Sequence, residues 1–118
     1  HSDANFLDMP MAVLVNADSY SAAEFFAAAL QEYDAAIVVG EKTSGKGRFQ
    51  STFTMKDGSA VALSIGNYFT PNGISLEGVG ITPDVEVAVD EALYADIYYS
   101  QLSAADDPQI QAAVDALK

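Results

Sequence analysis

Apolar and polar positions alternate in three distinct rhythms along this chain. Met11-Ala-Val-Leu-Val15 and Ala35-Ala-Ile-Val-Val39 are short continuous apolar runs, the form of strands buried in a sheet. Between them the rhythm is helical from Ala22. Ala22, Phe25, Phe26, Ala29, Leu30 and Tyr33 recur on one face, while Glu24, Gln31 and Glu32 are polar positions. Ser21-x-x-Glu24 has the form of a capping box and marks the helix start. Strand, helix and strand in that order predict a parallel α/β unit.

From Phe49 the period becomes two. Phe49, Ser51, Phe53 and Met55 take one side and Gln50, Thr52 and Thr54 the other. Lys56-Asp57-Gly58-Ser59 supplies an Asp-Gly turn, and Val61, Leu63 and Ile65 return, which predicts a β-hairpin. Asn67-Tyr-Phe-Thr70 continues as a short strand, and Pro71-Asn-Gly73, Gly78, Gly80 and Pro83 interrupt the stretch before Val85-Glu-Val-Ala-Val89. Asp107-Pro108 opens a last helix with Ile110, Ala113, Val114 and Leu117 as its apolar stripe. Residues 1–8 are polar and read as a loose terminus.

At 118 residues and half apolar, the chain is one globular domain with its own core. The net charge of −12 argues against nucleic acid and anionic membranes as partners. Without cysteine there are no disulfides, thiolate nucleophiles or thiolate metal sites. No His, Asp and Glu cluster has ligand spacing, so no metal and no cofactor are expected. No apolar run is long enough to span a membrane as a helix, and no signal-peptide pattern opens the chain. The chain lacks an initiator Met and reads as a piece of something longer.

The basic residues narrow the chemistry. The one histidine, His1, is terminal, so a hydroxyl nucleophile has no buried histidine as its base. Lysine is the remaining base, and of the four lysines only Lys46 stands between glycines, where the backbone can approach a reacting group closely. Lys42, Lys46 and Arg48 cluster within seven residues of a very acidic chain. A lysine acts as a base only when neutral, the form that burial and neighbouring positive charge favour. Ser21, at a helix start, is either a cap or a nucleophile, and the roles are compatible, since the Ala22 amide can donate to a developing oxyanion. Ser19 is the rival nucleophile or a turn residue. Gln50 lies four positions beyond Lys46, on the same strand face, where it can orient the ammonium. Gly40-Glu-Lys-Thr-Ser-Gly45-Lys46 imitates a P-loop, but Gly47 stands where a hydroxyl is needed and a strand follows instead of a helix.

Ser19-Tyr-Ser-Ala-Ala-Glu24, Val39 to Gly47, Gln50, Asp57-Gly-Ser59, Tyr68 to Gly73 and Gly78 to Val85 together resemble the C-terminal processing (tail-specific) peptidase family. The resemblance covers about residues 10–90 and is specific in combination. It implies a serine endopeptidase cutting protein or peptide substrates near their C-termini, with Ser21 as nucleophile, Lys46 as general base, Gln50 positioning the lysine and Ala22 supplying one oxyanion-hole amide. The implied fold is a crotonase/ClpP-like α/β core. Residues 1–118 then form part of the catalytic domain, without the PDZ domain and the upstream loop that carries a second oxyanion donor. Family membership also implies a bacterial enzyme in an extracytoplasmic place, periplasmic, cell-envelope or secreted, with a membrane anchor conceivable in the whole protein. Tyr20 and Ala23 depart from the family's small residue and serine, and Tyr20 would narrow the site. Two other readings share the fold: a non-catalytic module binding peptides or partners along a strand edge, and acyl-CoA chemistry of the crotonase type. A truncated α/β domain also leaves edges open, so a homodimer is expected.

Overall fold

The computed structural model describes residues 9–118; the expectation for residues 1–8 and the position of His1 lie outside them. Strand β1 (Ala12–Val15), helix α1 (Ala22–Glu32) and strand β2 (Ile37–Gly40) form the expected strand–helix–strand unit, with β1 and β2 parallel in the register Val13 to Val38. The antiparallel hairpin of β3 (Arg48–Thr54) and β4 (Ala60–Asn67) follows, turning at Asp57-Gly58. Strand β5 (Val85–Glu86) then adds to the free side of β2, so the parallel sheet runs β1-β2-β5. A 3-10 turn at Glu91–Leu93 leads into a short helix, α2 (Tyr94–Tyr98), and α3 (Pro108–Ala116) closes the chain.

Successive side chains of β2 point to opposite faces, and both Val38 and Val39 are fully buried. The strand is therefore covered on both sides, and α1 and α3 both pack against it. Each buried valine contributes about 1.5–3 kcal/mol. Val15, Ala27, Ala28, Leu76 and Ile81 complete the main cluster around Val38. Strand β1 departs from expectation. Only Val15 is buried and Leu14 is exposed, because β1 lies at the sheet's edge.

In both long helices only part of the expected apolar stripe turns inward: Phe25 of α1 packs on the core and Ala113 of α3 is buried. In α1 the buried residues are Glu24, Ala27 and Ala28, while Phe26 and Tyr33 are among the most exposed apolar side chains. The small side chains of Ala27 and Ala28 let α1 lie close to β2, and Phe26 falls on another face of the helix. In α3 the buried residues are Gln109 and Ala113, and Val114 is exposed. The Gln109 amide donates to the Val87 carbonyl at 3.0 Å, which satisfies it inside. Asp107 caps this helix as its Asp-Pro start predicts, accepting from Gln109 and Ile110 N–H.

The hairpin stands off the sheet. Its base is anchored by aromatic contacts, Phe25 of α1 to Tyr68 at 4.7 Å and Tyr68 to Phe49 at 5.1 Å. Beyond that base, Phe53, Met55, Val61, Leu63 and Ile65 are exposed, all on one face by strand alternation. A bulge opposite the Phe49–Gln50 step shifts the register of β4 and turns the hairpin base.

Candidate active site

The turn between β1 and α1 is closed by its own polar side chains. Asn16 Oδ1 accepts from Asp18 N–H at 3.0 Å and from the Ser19 hydroxyl at 3.3 Å, and Ser19 Oγ accepts from Asn16 N–H at 3.0 Å. Ser19 is thus occupied as a turn residue. Ser21, which caps α1, has φ 56° and ψ −123°, a region that few residues other than glycine adopt. Such backbone costs on the order of 1–3 kcal/mol and persists only where its surroundings hold it. Here the hold is visible, since Glu24 closes the predicted capping box and accepts from Ser21 N–H at 2.9 Å. Among the described residues, Ala22 N–H donates to nothing, which leaves one amide free at the positive end of the helix.

Glu24 is the residue that pattern reading placed on the wrong side. It is wholly buried, and its two carboxylate oxygens accept four hydrogen bonds. Oε1 takes the Thr43 hydroxyl at 2.5 Å and Gly45 N–H at 2.7 Å; Oε2 takes Ser21 N–H and Lys46 N–H, each at 2.9 Å. One oxygen therefore bridges the backbones of Ser21 and Lys46, whose nitrogens lie within about 6 Å of each other. Ser44 N–H adds a second tie to the Ser19 carbonyl at 3.0 Å. Twenty-five positions of sequence are closed into one site by these bonds.

The glycines around Lys46 pack closely against a neighbouring loop. A Cβ on Gly47 would stand 2.4 Å from the backbone nitrogen of Glu77, and one on Gly45 would meet Val79 and Gly80 nitrogens at 3.0 Å. The close approach that the structure shows is to the Glu77–Gly80 loop. That loop holds the segment: Glu77 accepts Gly47 N–H at 2.9 Å and pairs with Arg48 at 3.0 Å, and Gly78 N–H donates to the Gly45 carbonyl at 2.8 Å. Gly47→Ala is expected to cost about 1–3 kcal/mol through this overlap. Chemical denaturation would check it, and an unchanged midpoint would contradict the packing.

Lys46 is exposed, with its Nζ 5.4 Å from the centre of the Tyr20 ring, the residue before Ser21. Tyr20 therefore does border the lysine. Arg48 is paired with Glu77, so its charge is largely offset and does not act freely on Lys46. Gln50 lies exposed on β3, and among the described residues it makes no hydrogen bond to Lys46 Nζ. Thr43 and Glu77 had no signal of their own in the sequence; Glu24 had one, the capping box, which marked a helix start and nothing more. Among the described residues no helix is long and apolar enough to cross a membrane.

A mixed α/β scaffold with a strained helix-start serine bridged to a glycine-flanked lysine loop is the setting in which the comparisons with known proteins fall. The chain belongs to peptidase family S41, which it matches over residues 1–87. It is 43% identical over 110 residues to a carboxyl-terminal-processing protease of Synechocystis sp., covering 93% of this chain and 25% of that protein. It is 47% identical over 75 residues to the chloroplastic carboxyl-terminal-processing peptidase 1 of Arabidopsis thaliana, covering 64% of this chain and 15% of that one. Among solved structures it resembles the photosystem II D1 C-terminal processing protease, with 40% identity and a TM-score of 0.59 over 66% of this chain and 20% of that one. It also resembles mature CPAF complexed with lactacystin, at 25% identity and a TM-score of 0.66, over 92% of this chain and 21% of that one. The chain thus spans about a quarter or less of these relatives' length.

Proposed function

We propose that residues 1–118 carry the nucleophile and base of a C-terminal processing endopeptidase, as part of a crotonase/ClpP-like catalytic domain. Ser21 Oγ attacks the scissile carbonyl while neutral Lys46 takes its proton. The tetrahedral oxyanion is met by Ala22 N–H, and the Lys46 ammonium returns the proton to the leaving amine. Water, deprotonated by Lys46, then releases the acyl group from Ser21. Gln50 is assigned to orient the lysine once substrate is bound. What supports this reading most is the shared Glu24 oxygen, which ties the Ser21 and Lys46 backbones together at a strained helix start.

The remainder of the catalytic domain, with a second oxyanion donor, and a PDZ domain are proposed to lie elsewhere in the whole protein. Its substrates are proteins or peptides cut near their C-termini, and its place is extracytoplasmic. The open edge of β1 favours a homodimer by strand pairing, which a monomer mass independent of concentration would overturn. The exposed apolar hairpin face supports a second reading, a peptide-binding module without turnover. Trapping separates the two: an activated acyl ester should leave one acyl group on the peptide containing Ser21, read by intact mass and peptide mapping. Saturable binding with no acyl transfer in the whole protein would instead establish the module.

A further inference from the structure

A second hollow opens beside the nucleophile turn, of about 350 Å³, between Asn16 and Asp18 on one side and Tyr94, Ile97, Tyr98 and Tyr99 on the other. The tyrosine wall lies beyond residues 1–87, the part of the chain that the family model matches. Its position is tied to the loop that carries Lys46. The Tyr94 hydroxyl donates to the Glu41 carboxylate at 3.3 Å, and Glu41 begins the loop that leads to Lys46. Glu41 is held in turn by Val89 N–H at 3.3 Å. Asp18 stands three residues before Ser21, no more than about 11 Å along the chain.

The chemistry of the hollow is specific. Tyr98 and Tyr99 meet edge to face at 5.1 Å and are 81% and 68% exposed, which leaves ring surface open to a ligand. No lysine or arginine lines the hollow, and among the described residues no cation pairs with the Asp18 carboxylate. The local potential is negative: the Tyr94 phenol is held above its ordinary range by partial removal from water and then by the charges of Glu41, Glu91 and Asp18. Aromatic faces beside an unpaired carboxylate are complementary to a cationic side chain, and a planar guanidinium can use both at once. A neutral apolar side chain would cover the rings but leave Asp18 unanswered.

We infer that the hollow between Asp18 and the Tyr94–Tyr99 segment is a subsite for an arginine, or less well a lysine, of a polypeptide, up to about three residues from the bond at Ser21. The inference rests on the peptidase reading for the direction of the chain, not for the binding itself. An extended strand rises about 3.3 Å per residue, so a reach of at most about 11 Å from Ser21 to Asp18 corresponds to no more than about three extended residues.

The test uses two labelled unstructured peptides, identical except for arginine or norleucine at that position, with binding read by anisotropy and cleavage by product analysis. The arginine peptide should bind about tenfold more tightly at low salt, with the preference shrinking as salt rises. Asp18→Asn, or Tyr98→Ala combined with Tyr99→Ala, should reduce the preference to about twofold, while Tyr98→Phe keeps it. These side chains are exposed, so the variants are expected to fold, and circular dichroism would show it. Equal binding of the two peptides, no binding of either, or a preference that survives both substitutions overturns the subsite. Arginine-selective binding with neither peptide cut would keep the subsite and count against the peptidase reading. Cleavage without selectivity would do the reverse.

Discussion

Glu24→Ala is expected to destabilise the fold by about 3–5 kcal/mol and to remove turnover in whatever fraction stays folded. The substitution takes away one buried acceptor group and strands four donors: Ser21 N–H, Thr43 Oγ–H, Gly45 N–H and Lys46 N–H. Water cannot replace it cheaply, since Glu24 and Thr43 are both buried. Glu24→Gln is the informative companion. Its amide oxygen can still serve two donors, but its NH₂ group faces Gly45 N–H, so a smaller cost of about 1–3 kcal/mol is expected. Urea denaturation measures both. A loss under about 1 kcal/mol for the alanine variant would mean that the bridge is not what joins the two loops.

Ser21→Gly is expected to abolish turnover while leaving the protein as stable as before or more stable by up to about 1 kcal/mol. Glycine accepts φ 56° without strain and remains a tolerable helix cap. Ser21→Ala should also be inactive, by about 10⁴-fold or more, but without the gain, because its Cβ keeps the strain. The stability difference between the glycine and alanine variants reads the backbone strain, and the loss of turnover in both tests Ser21 as the nucleophile. Lys46→Arg completes the set. It preserves positive charge next to Tyr20, but a guanidinium does not give up its proton, so a base at this position is lost. Peptide cleavage by each variant in the whole protein checks the set, and undiminished turnover with arginine at position 46 would remove the lysine from the mechanism.

Much of this architecture is local in origin. The apolar runs, the capping box and the Asp-Gly turn each act over a few residues, and the strand–helix–strand unit, the hairpin and the Asp107 cap follow from them. What misled the reading was the side each element turns inward. Phe26, Tyr33 and Val114 belong to apolar stripes yet face outward, whereas Glu24 and Gln109 lie inside. Hydrophobicity orders residues by transfer cost alone; a polar side chain with every partner satisfied escapes that cost, and those partners come from segments far along the chain. Helix α2 was missed for a related reason, since five residues without a buried one give no period to detect.

The order of residues by itself determined which groups are available: one serine at a helix start, one lysine between glycines, no cysteine, and a family resemblance carried by their spacing. Only the tertiary structure decided how they meet. A single buried carboxylate gathers the Ser21 and Lys46 backbones, the Glu77 loop packs on both glycines, and three tyrosines line a hollow with Asp18. Local propensity acts through neighbours in sequence, while convergence of hydrogen bonds depends on which distant segments packing brings within about 3 Å.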